Sequence, residues 1–420
     1  MIPQKAQKAS VVVIGAGPAG LAAAMSAAGC GADVLVFEQL TVAGRRLLAT
    51  GGGHCNFTNI LAADEFSKRF GPAARFVSPA FKAMDSASLR DYFTGIGVPS
   101  HVIDGFHVYP VSNSAVAVRD SMVRECGRLG IRFRLGARVA GLVLADGRVI
   151  GVEAGGVVVN AVAVVLAAGG ASRGELGGGT GGANLARAAG HAIREPVPAL
   201  VPLITREDWP RELAGVTVPA VIAKFDGGAG GPGAIGAGAL LFTHRGISGP
   251  AVLDVSGSVA SALRKTPQAR ISLDLAPDMS ADDWRLVFDK AKQEQGARGV
   301  FTVLRGHFPA VLAKIMVGVA GLPDDLVVSR MSTGQRHAVV GCIKAMTLDI
   351  TGTEGMSHAM ASRGGVALEQ IDRKTFESKI TRGLFVAGEV MDVDGPCGGF
   401  NLHWAFASGY VAGKYAGQTG

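Results

Sequence analysis

Residues 11–38, VVVIGAGPAGLAAAMSAAGCGADVLVFE, restrict the fold of this chain more than any other stretch. Four apolar residues, 11–14, read as a buried parallel strand. Gly15, Gly17 and Gly20 follow in G-x-G-x-x-G spacing at the mouth of an Ala-rich helix opened by Pro18 and Ala19. A second apolar run, 34–37, ends in Glu38. A unit of this kind holds the pyrophosphate of a dinucleotide. Gly15 makes the tight turn, Gly17 lets the backbone approach the phosphates, and Gly20 lets helix and strand pack closely. The helix start offers unpaired N–H groups and a partial positive charge. Glu38 is placed to accept hydrogen bonds from an adenosine ribose, and its charge would repel a 2′-phosphate. Glycine makes up 61 of 420 residues, so the spacing alone means little; strand, helix and acid in that order give it weight.

The chain is long enough, and at 48% hydrophobic apolar enough, for more than one domain. Lys5 and Lys8 precede an uncharged run, 9–32, that resembles a secretion signal. A signal core or membrane helix would not carry Gly15, Gly17, Pro18 and Gly20, so no targeting segment, no membrane span and a cytoplasmic location are expected. The cysteines at 30, 55, 126, 342 and 397 are scattered without a C-x-x-C pair, which predicts reduced thiols and no metal site. The net charge of +7 is concentrated early, with Arg119, Arg124, Arg128, Arg132, Arg134 and Arg138 in one stretch. A solvated face around a nucleotide site is the weightier reading of these arginines, and a polyanionic partner such as RNA the lesser one.

After Glu38 and Gln39, residues 44–59 read GRRLLATGGGHCNFTN. The glycine run fits a loop crossing a ligand, with Arg45 or Arg46 available to a phosphate. Residues 62–100 look helical, punctuated by Pro72, Pro79 and Pro99, and residues 115–129 have helical apolar spacing. From 131 the period changes to two: short strands at 131–135, 139–144, 149–153 and 157–159, with Asp146-Gly147 as a hairpin turn. Residues 162–166 then form an apolar strand ending in Ala168 and Gly169, as a flavin-type dinucleotide domain would have. Residues 173–190 make a glycine loop opening a short helix.

Prolines at 196, 198, 202 and 210 mark an exit from this first domain. Strand-like segments at 216–225, 240–243 and 269–275 suggest a barrel or a sandwich, 280–326 a small helical subdomain, and Gly-rich 227–238 a hairpin loop. Residues 383–389 form another apolar strand closing on Gly388 and Glu389, and Gly398-Gly399 opens a helix with Phe400 and Asn401. The tail therefore returns to complete the first domain. The expected division is 1–192, an insertion 193–344 with its helical piece near 277–330, and 345–420.

The blocks GGGHCNFTN (51–59), FTHRGISGPAVL (242–253), ASRGGVALEQID (361–372), TFESKITRGLFVAGEVMDVDG (375–395) and CGGFNLHWAFASGYVAG (397–413) carry a resemblance. They are similar, in order, to the BaiN-like (bile-acid-reductase-like) NAD(P)/FAD-dependent oxidoreductases, a family of two-dinucleotide-binding-domain flavoproteins. The resemblance implies an α/β fold: a Rossmann-like FAD-binding domain in two segments, glutathione-reductase-like, with an inserted β-barrel and a small helical subdomain. It implies noncovalent FAD held by Gly15, Gly17, Pro18, Ala19, Gly20, Glu38, Gln39, Arg45, Arg46, Gly52, Gly53, Asn56, Ala168, Gly169, Gly388 and Glu389. Gly398, Gly399, Phe400 and Asn401 would lie near the flavin pyrimidine edge and stabilise negative charge on the reduced ring. His54 stands where the family usually has Arg, and Ser362-Arg363 precede the paired glycines where it usually has Thr. Both departures bear on substrate rather than on cofactor.

Reducing a double bond through a flavin requires a proton donor opposite the hydride. Cys55 and His54, in the loop expected over the flavin, are the candidates, against a packing thiol and a surface histidine. His244 reads equally as bracing a hairpin or meeting substrate, His403 and Trp404 more readily as packing, and Asp392 and Asp394 as helix caps ahead of holding the loop of Glu389. No second G-x-G-x-x-G follows a strand, so NADH or NADPH would visit the flavin as a transient reductant. Three functions follow: reduction of a C=C bond in a small-molecule substrate, reduction of uridine in ribosomal RNA, or a non-enzymatic flavin-binding module.

Overall fold

In the computed structural model, which describes residues 8–228 and 233–419, the strand Lys8–Ile14 lies inside a seven-stranded sheet. It pairs in parallel with Val34–Glu38 on one side and with Val157–Leu166 on the other. Beyond Val34–Glu38 comes Arg132–Leu135, also parallel. Val157–Leu166 is one strand with two partners along its far edge. Its first half pairs antiparallel with Arg148–Ala154, and its second half parallel with the C-terminal strand Leu384–Val386. The expected pair of strands at 157–159 and 162–166 is thus one continuous strand shared by the meander and the parallel sheet. Asp146 and Gly147 take φ of 50° and 70°, the left-handed pair a two-residue hairpin needs.

The chain divides into two units, Met1–Val197 with Met360–Gly420, and Pro198–Ala359. In the first, the helices Pro18–Gly29 and Phe400–Gly417 pack along each other through small residues. A Cβ at Gly409 would lie 2.2 Å from the Ala19 carbonyl oxygen, and one at Gly413 would lie 2.1 Å from that of Ala23. This close crossing ties the C-terminal tail to the first helix. Residues 62–100 hold the helices Ala63–Lys68, Ala74–Ala83 and Ser86–Gly95, with Pro79 inside the second rather than ending it. A three-stranded sheet of Thr58–Asn59, Ser100–Ile103 and His107–Pro110 lies beside them in sequence and has too few residues to show a period.

The second unit contains a closed antiparallel barrel of six strands. Their order is Leu203–Thr205, Gly246–Ser248, Ala234–Thr243, Thr217–Phe225, Ala269–Asp274 and Met346–Thr353, and the last closes on the first. Closure removes the sandwich alternative. It also shifts the return crossing from 344/345 to Ala359/Met360, because Met346–Thr353 is a barrel strand; the outward crossing falls after Val197 rather than after 192. The helical part runs from Ala281 to Lys344, past the expected end near 330, and shares one apolar core with the barrel. Of the loop expected at 227–238, residues 229–232 lie outside the described residues, as does Lys5, and Ala234 already begins a strand.

Candidate functional site

Ile14, Leu166 and Val386 stand in one row across three parallel strands. The chain leaves this row through Gly15, through Ala168-Gly169-Gly170 and through Gly388-Glu389. Gly15 has φ of 101°, and a Cβ on it would lie 2.5 Å from the Ala167 carbonyl oxygen. At Gly20 a Cβ would lie 1.8 Å from the Gly15 carbonyl oxygen, so the helix sits directly on its own turn. At Gly17 a Cβ would meet nothing within 4 Å. That residue is the N-cap of Pro18–Gly29, with no side chain capping the helix and no acid in its first turn. Two glycines therefore serve packing, and the third leaves open space at a helix start of positive polarity. Ala19 is buried against Gly388, where a Cβ would come within 2.8 Å of its own.

Glu38 turns back onto this corner. Its Oε2 accepts the Ala16 N–H at 2.8 Å and its Oε1 the Leu40 N–H at 2.9 Å, and each oxygen keeps a further lone pair for a hydroxyl. Gln39 donates to the Gly177 carbonyl, fastening the glycine loop before the helix Gly181–Ala188. Of the two arginines expected at a phosphate, Arg45 is exposed. Arg46 is instead engaged: its Nη2 lies 3.0 Å from Glu389 Oε2 and also bonds the Ser172 hydroxyl. Glu389 Oε1 further accepts the Ser362 N–H at 2.8 Å and its hydroxyl at 2.9 Å. Gly170 makes the cluster possible, since a Cβ there would lie 2.2 Å from Glu389 Oε1. Nothing in the sequence marks Ser172 or Gly170, and Ser362, singled out there as a departure bearing on substrate, instead holds the Glu389 carboxylate.

The loop Leu47–Gly53 ends with Gly51, Gly52 and Gly53 at φ of 54°, 64° and 95°. A Cβ on Gly53 would meet nothing within 4 Å. His54 follows, exposed, with Nδ1 donating to the Asn113 carbonyl at 3.1 Å. Cys55 does not share that setting. It is fully buried, and burial pushes its thiol up to about 12 against the pull of the Thr50 hydroxyl, so the packing reading fits it and proton donation does not. Asn56 is also used by the protein: its amide nitrogen donates to the Thr58 and Val108 carbonyls and its oxygen accepts the Gly399 N–H.

At the second helix start, Gly399 is the N-cap with φ of 84°, and a Cβ on it would lie 2.7 Å from the Thr58 carbonyl oxygen. Gly398 is held through its carbonyl by Asn59 Nδ2 at 2.8 Å. The side chains of Phe400 and Asn401 point to other work than a cofactor. Phe400 stacks in the core with its ring centroid 4.5 Å from that of Phe66, and Asn401 pairs with the N–H and carbonyl of Gly395. Asp392 and Asp394 do not cap this helix. Asp392 accepts the Gly364 N–H and meets Arg194, and Asp394 forms a two-point pair with Arg363. His403 is buried between Phe66 and Phe81; its Nε2 donates to the Met84 carbonyl, so Nδ1 accepts from Thr58 Oγ1 at 2.8 Å. His244 is exposed in a turn braced by Thr243 rather than by its own ring.

Three arginines of the stretch 119–138 form ion pairs. Arg119 bonds Asp120, Arg128 bonds Glu125 through two nitrogens, and Arg132 bonds Asp33. Arg124 donates to Ser121 Oγ. Three of the six arginines are thus paired with nearby acids. Among the described residues no group of three or more His, Cys, Asp and Glu is placed to hold a metal ion, and no helix is long and apolar enough to cross a membrane.

Comparison with known proteins returns one family over nearly the whole chain: the HI0933-like protein Rossmann domain matches residues 9–415. The 3-dehydro-bile acid delta(4,6)-reductase of Clostridium scindens is 32% identical over 97% of this chain and 98% of its own length. The ribosomal RNA dihydrouridine synthase of Escherichia coli is 28% identical over 97% of this chain and 98% of its own. Among solved structures, the 3-ketosteroid-delta4-(5alpha)-dehydrogenase from Rhodococcus jostii RHA1 matches with a TM-score of 0.54 at 19% identity, covering 99% of this chain and 98% of that one. This last likeness is one of fold.

Proposed function

The chain belongs to the HI0933-like Rossmann family, and from that premise we propose that it is an FAD-dependent oxidoreductase. It takes electrons from NADH or NADPH and reduces a carbon–carbon double bond in an unsaturated small molecule. One observation carries this reading: the row Ile14, Leu166 and Val386, each with a glycine within the next three residues, opens at the carboxyl ends of parallel strands, where open α/β sheets take their ligands. The residues there suit a dinucleotide. The open helix start at Gly17 receives the pyrophosphate, the remaining lone pairs of Glu38 accept a ribose, and Glu389 accepts a hydroxyl of the ribityl chain.

FAD, when bound, supplies the ring that accepts and passes on a hydride. The chain's own part is to orient it, noncovalently, and to deliver a proton to the substrate carbon left by the hydride. His54 takes that second role. Its Nδ1–H is committed to Asn113, so the proton leaves from Nε2 of the imidazolium. The name of the bile acid reductase supports a small unsaturated substrate. The cytoplasm, where NADH and NADPH are available, is its place of work.

The test is direct. Purified protein is yellow, releases FAD on heating, and oxidises NADH or NADPH in proportion to an added enone. Colourless protein that cannot be reconstituted with FAD removes the reading, and yellow protein without substrate-dependent oxidation leaves a flavin-binding module in its place. Reduction of a uridine base in ribosomal RNA is the second reading, supported by the name of the ribosomal RNA dihydrouridine synthase of Escherichia coli. Loss of a dihydrouridine from ribosomal RNA on gene deletion decides for it, and an unchanged modification profile against it.

A further inference from the structure

Beside the second glycine corner stands a histidine that no step so far uses. The strand His107–Pro110 pairs with Thr58–Asn59 on one side and with Ser100–Ile103 on the other. Burial alternates along it: Val108 and Pro110 are buried, and His107 and Tyr109 face the other way, half-buried. That outer face spans the two glycine stretches expected around a ligand. Tyr109 Cε1 lies 3.7 Å from where a Cβ on Gly51 would stand, and His107 Nε2 lies 3.4 Å from where one on Gly398 would. Asn59, the backbone partner of His107, also holds the Gly398 carbonyl, so ring and corner share one brace.

The ring is oriented from behind. Its Nδ1 donates to Asp104 Oδ2 at 2.8 Å, while Asp104 Oδ1 accepts the N–H groups of Phe106 and His107. These bonds hold the Asp104 carboxyl below the usual carboxylate range, the His107 N–H contributing most. A turn aspartate needs one oxygen for its N–H groups, and here the second is spent on the imidazole. A carboxylate in that position fixes the Nδ1–H form and favours the imidazolium. Nε2, on the other side of the ring, meets no hydrogen-bond partner among the described residues.

The two helix starts set the span of the site. Gly409, Gly413 and Gly417 lie against Ala19, Ala23 and Ala27, so Phe400–Gly417 and Pro18–Gly29 run parallel. Phe400 precedes Gly409 by nine residues, which starts the second helix about 14 Å beyond the level of Ala19. That offset suits a molecule that begins at Gly17 and reacts at its other end, beside Gly398.

We propose that His107 binds the carbonyl oxygen of the unsaturated substrate through Nε2, with Asp104 as its positioning residue. The proposal rests on the reading of the chain as an enone reductase and adds the group that holds the developing charge. Hydride addition to the β-carbon pushes the electron pair of the double bond through the α-carbon onto the carbonyl oxygen. The Nε2–H of the imidazolium hydrogen-bonds to that oxygen and keeps its proton. His54 then protonates the α-carbon, and the carbonyl re-forms. The substrate class selected is a double bond conjugated to a carbonyl, not an isolated alkene.

The experiment uses the full chain as purified, with its flavin. The probes are p-chlorophenol and p-cyanophenol, because an ionised phenol oxygen resembles the enolate oxygen and the ring is not reduced. Binding is titrated at one pH through the change in the flavin spectrum. The parent chain binds both, and the more acidic p-cyanophenol more tightly. His107→Gln weakens both by about 10- to 100-fold, the range for one hydrogen bond to a charged group, and removes the preference for the more acidic phenol. Asp104→Asn, whose side chain tolerates the φ of 52° at that position, gives a smaller loss in the same sense. The two side chains are 33% and 55% exposed, so the fold survives either change. His54→Gln leaves phenol binding at the parent level, which separates the two histidines. Phenol binding unaltered by His107→Gln, or absent from yellow protein that reduces enones, overturns this proposal and leaves the reductase reading standing. Colourless protein that cannot be reconstituted with FAD removes both together.

Discussion

Arg46 and Glu389, 343 residues apart in sequence, meet as an ion pair with 3.0 Å between Nη2 and Oε2. Ser172 and Ser362 close the group, so Glu389 reaches the strand-end row already held by one cation and two hydroxyls. The pair is partly exposed, at 19% and 21% of the two side chains, so its own contribution to stability is at most about 1 kcal/mol. Its value lies in orientation. Glu389→Gln keeps the shape and loses the charge. The expected outcome is a melting temperature of apoprotein within a few degrees of the parent, with FAD affinity reduced by about tenfold, a loss of about 1.4 kcal/mol. A fluorescence titration of apoprotein with FAD measures it; unchanged affinity would show that Glu389 only braces Arg46.

Gly17 and Gly20 look alike in the sequence and differ in the structure. A Cβ at Gly20 would overlap the Gly15 carbonyl oxygen, backbone that cannot yield, whereas a Cβ at Gly17 would meet no protein atom. Gly20→Ala is therefore expected to destabilise apoprotein by about 3 kcal/mol or more. Gly17→Ala should leave apoprotein stability within about 1 kcal/mol. Its effect should be on FAD binding, weakened by at least about tenfold because the methyl occupies the approach of the pyrophosphate. Urea denaturation of the two apoproteins beside their FAD titrations separates the cases. Equal apoprotein losses would contradict the geometry.

Much of the first unit was legible because its constraints are local. Gly20 answers to Gly15 and Glu38 to Ala16 and Leu40, all within thirty residues, and Asp146-Gly147 fits only one hairpin turn; the packing of Gly15 against Ala167 is the distant exception. What stayed hidden depends on distant partners. Met346, Leu348 and Ile350 alternate with Thr347, Asp349 and Thr351, a clear strand, yet nothing in that alternation says whether it joins the returning domain or closes a barrel. The family resemblance implies cofactor contacts at Asn56, Phe400 and Asn401. Their side chains are spent on Gly399, Phe66 and Gly395 instead, contacts that only the assembled fold reveals.

His403 links the fold to pH. It is wholly buried, and burial pushes its imidazole down to about 4, opposed by the Met84 carbonyl. An unfolded histidine titrates near 6.5, so below that pH the unfolded chain takes up a proton that the folded chain refuses. The sign follows: stability is intact above about 6.5 and falls as the pH drops toward 4, by about 1.4 kcal/mol per pH unit from this group. His403→Gln should weaken the protein at pH 7.5, through the lost contacts to Thr58 and Met84, while flattening the decline between pH 6.5 and 4. Urea melts of both proteins across that range measure the slopes. Parallel slopes would show that other groups, not His403, set acid stability.

Cys55 and His54 are neighbours in sequence and opposites in setting, which allows the proton donor to be assigned by kinetics. Cys55 is sealed in the core with its thiol pushed up to about 12, so it should resist iodoacetamide in the native protein while exposed Cys30 reacts. Cys55→Ala should keep kcat for enone reduction within about threefold and lower stability by about 1 kcal/mol, as for loss of one small buried group. His54→Gln should behave in the reverse sense. The ring is exposed and its loss disturbs no core contact, so stability should hold within about 0.5 kcal/mol. Reduction of the flavin by NADH or NADPH, followed alone by stopped flow, should be unchanged, because that half-reaction draws no proton from His54. Oxidation of the reduced enzyme by the enone should slow by about 100-fold, the scale of a lost general acid. An enone half-reaction that slows in Cys55→Ala and not in His54→Gln would reverse the assignment, and one that slows in neither would place the donor on another residue.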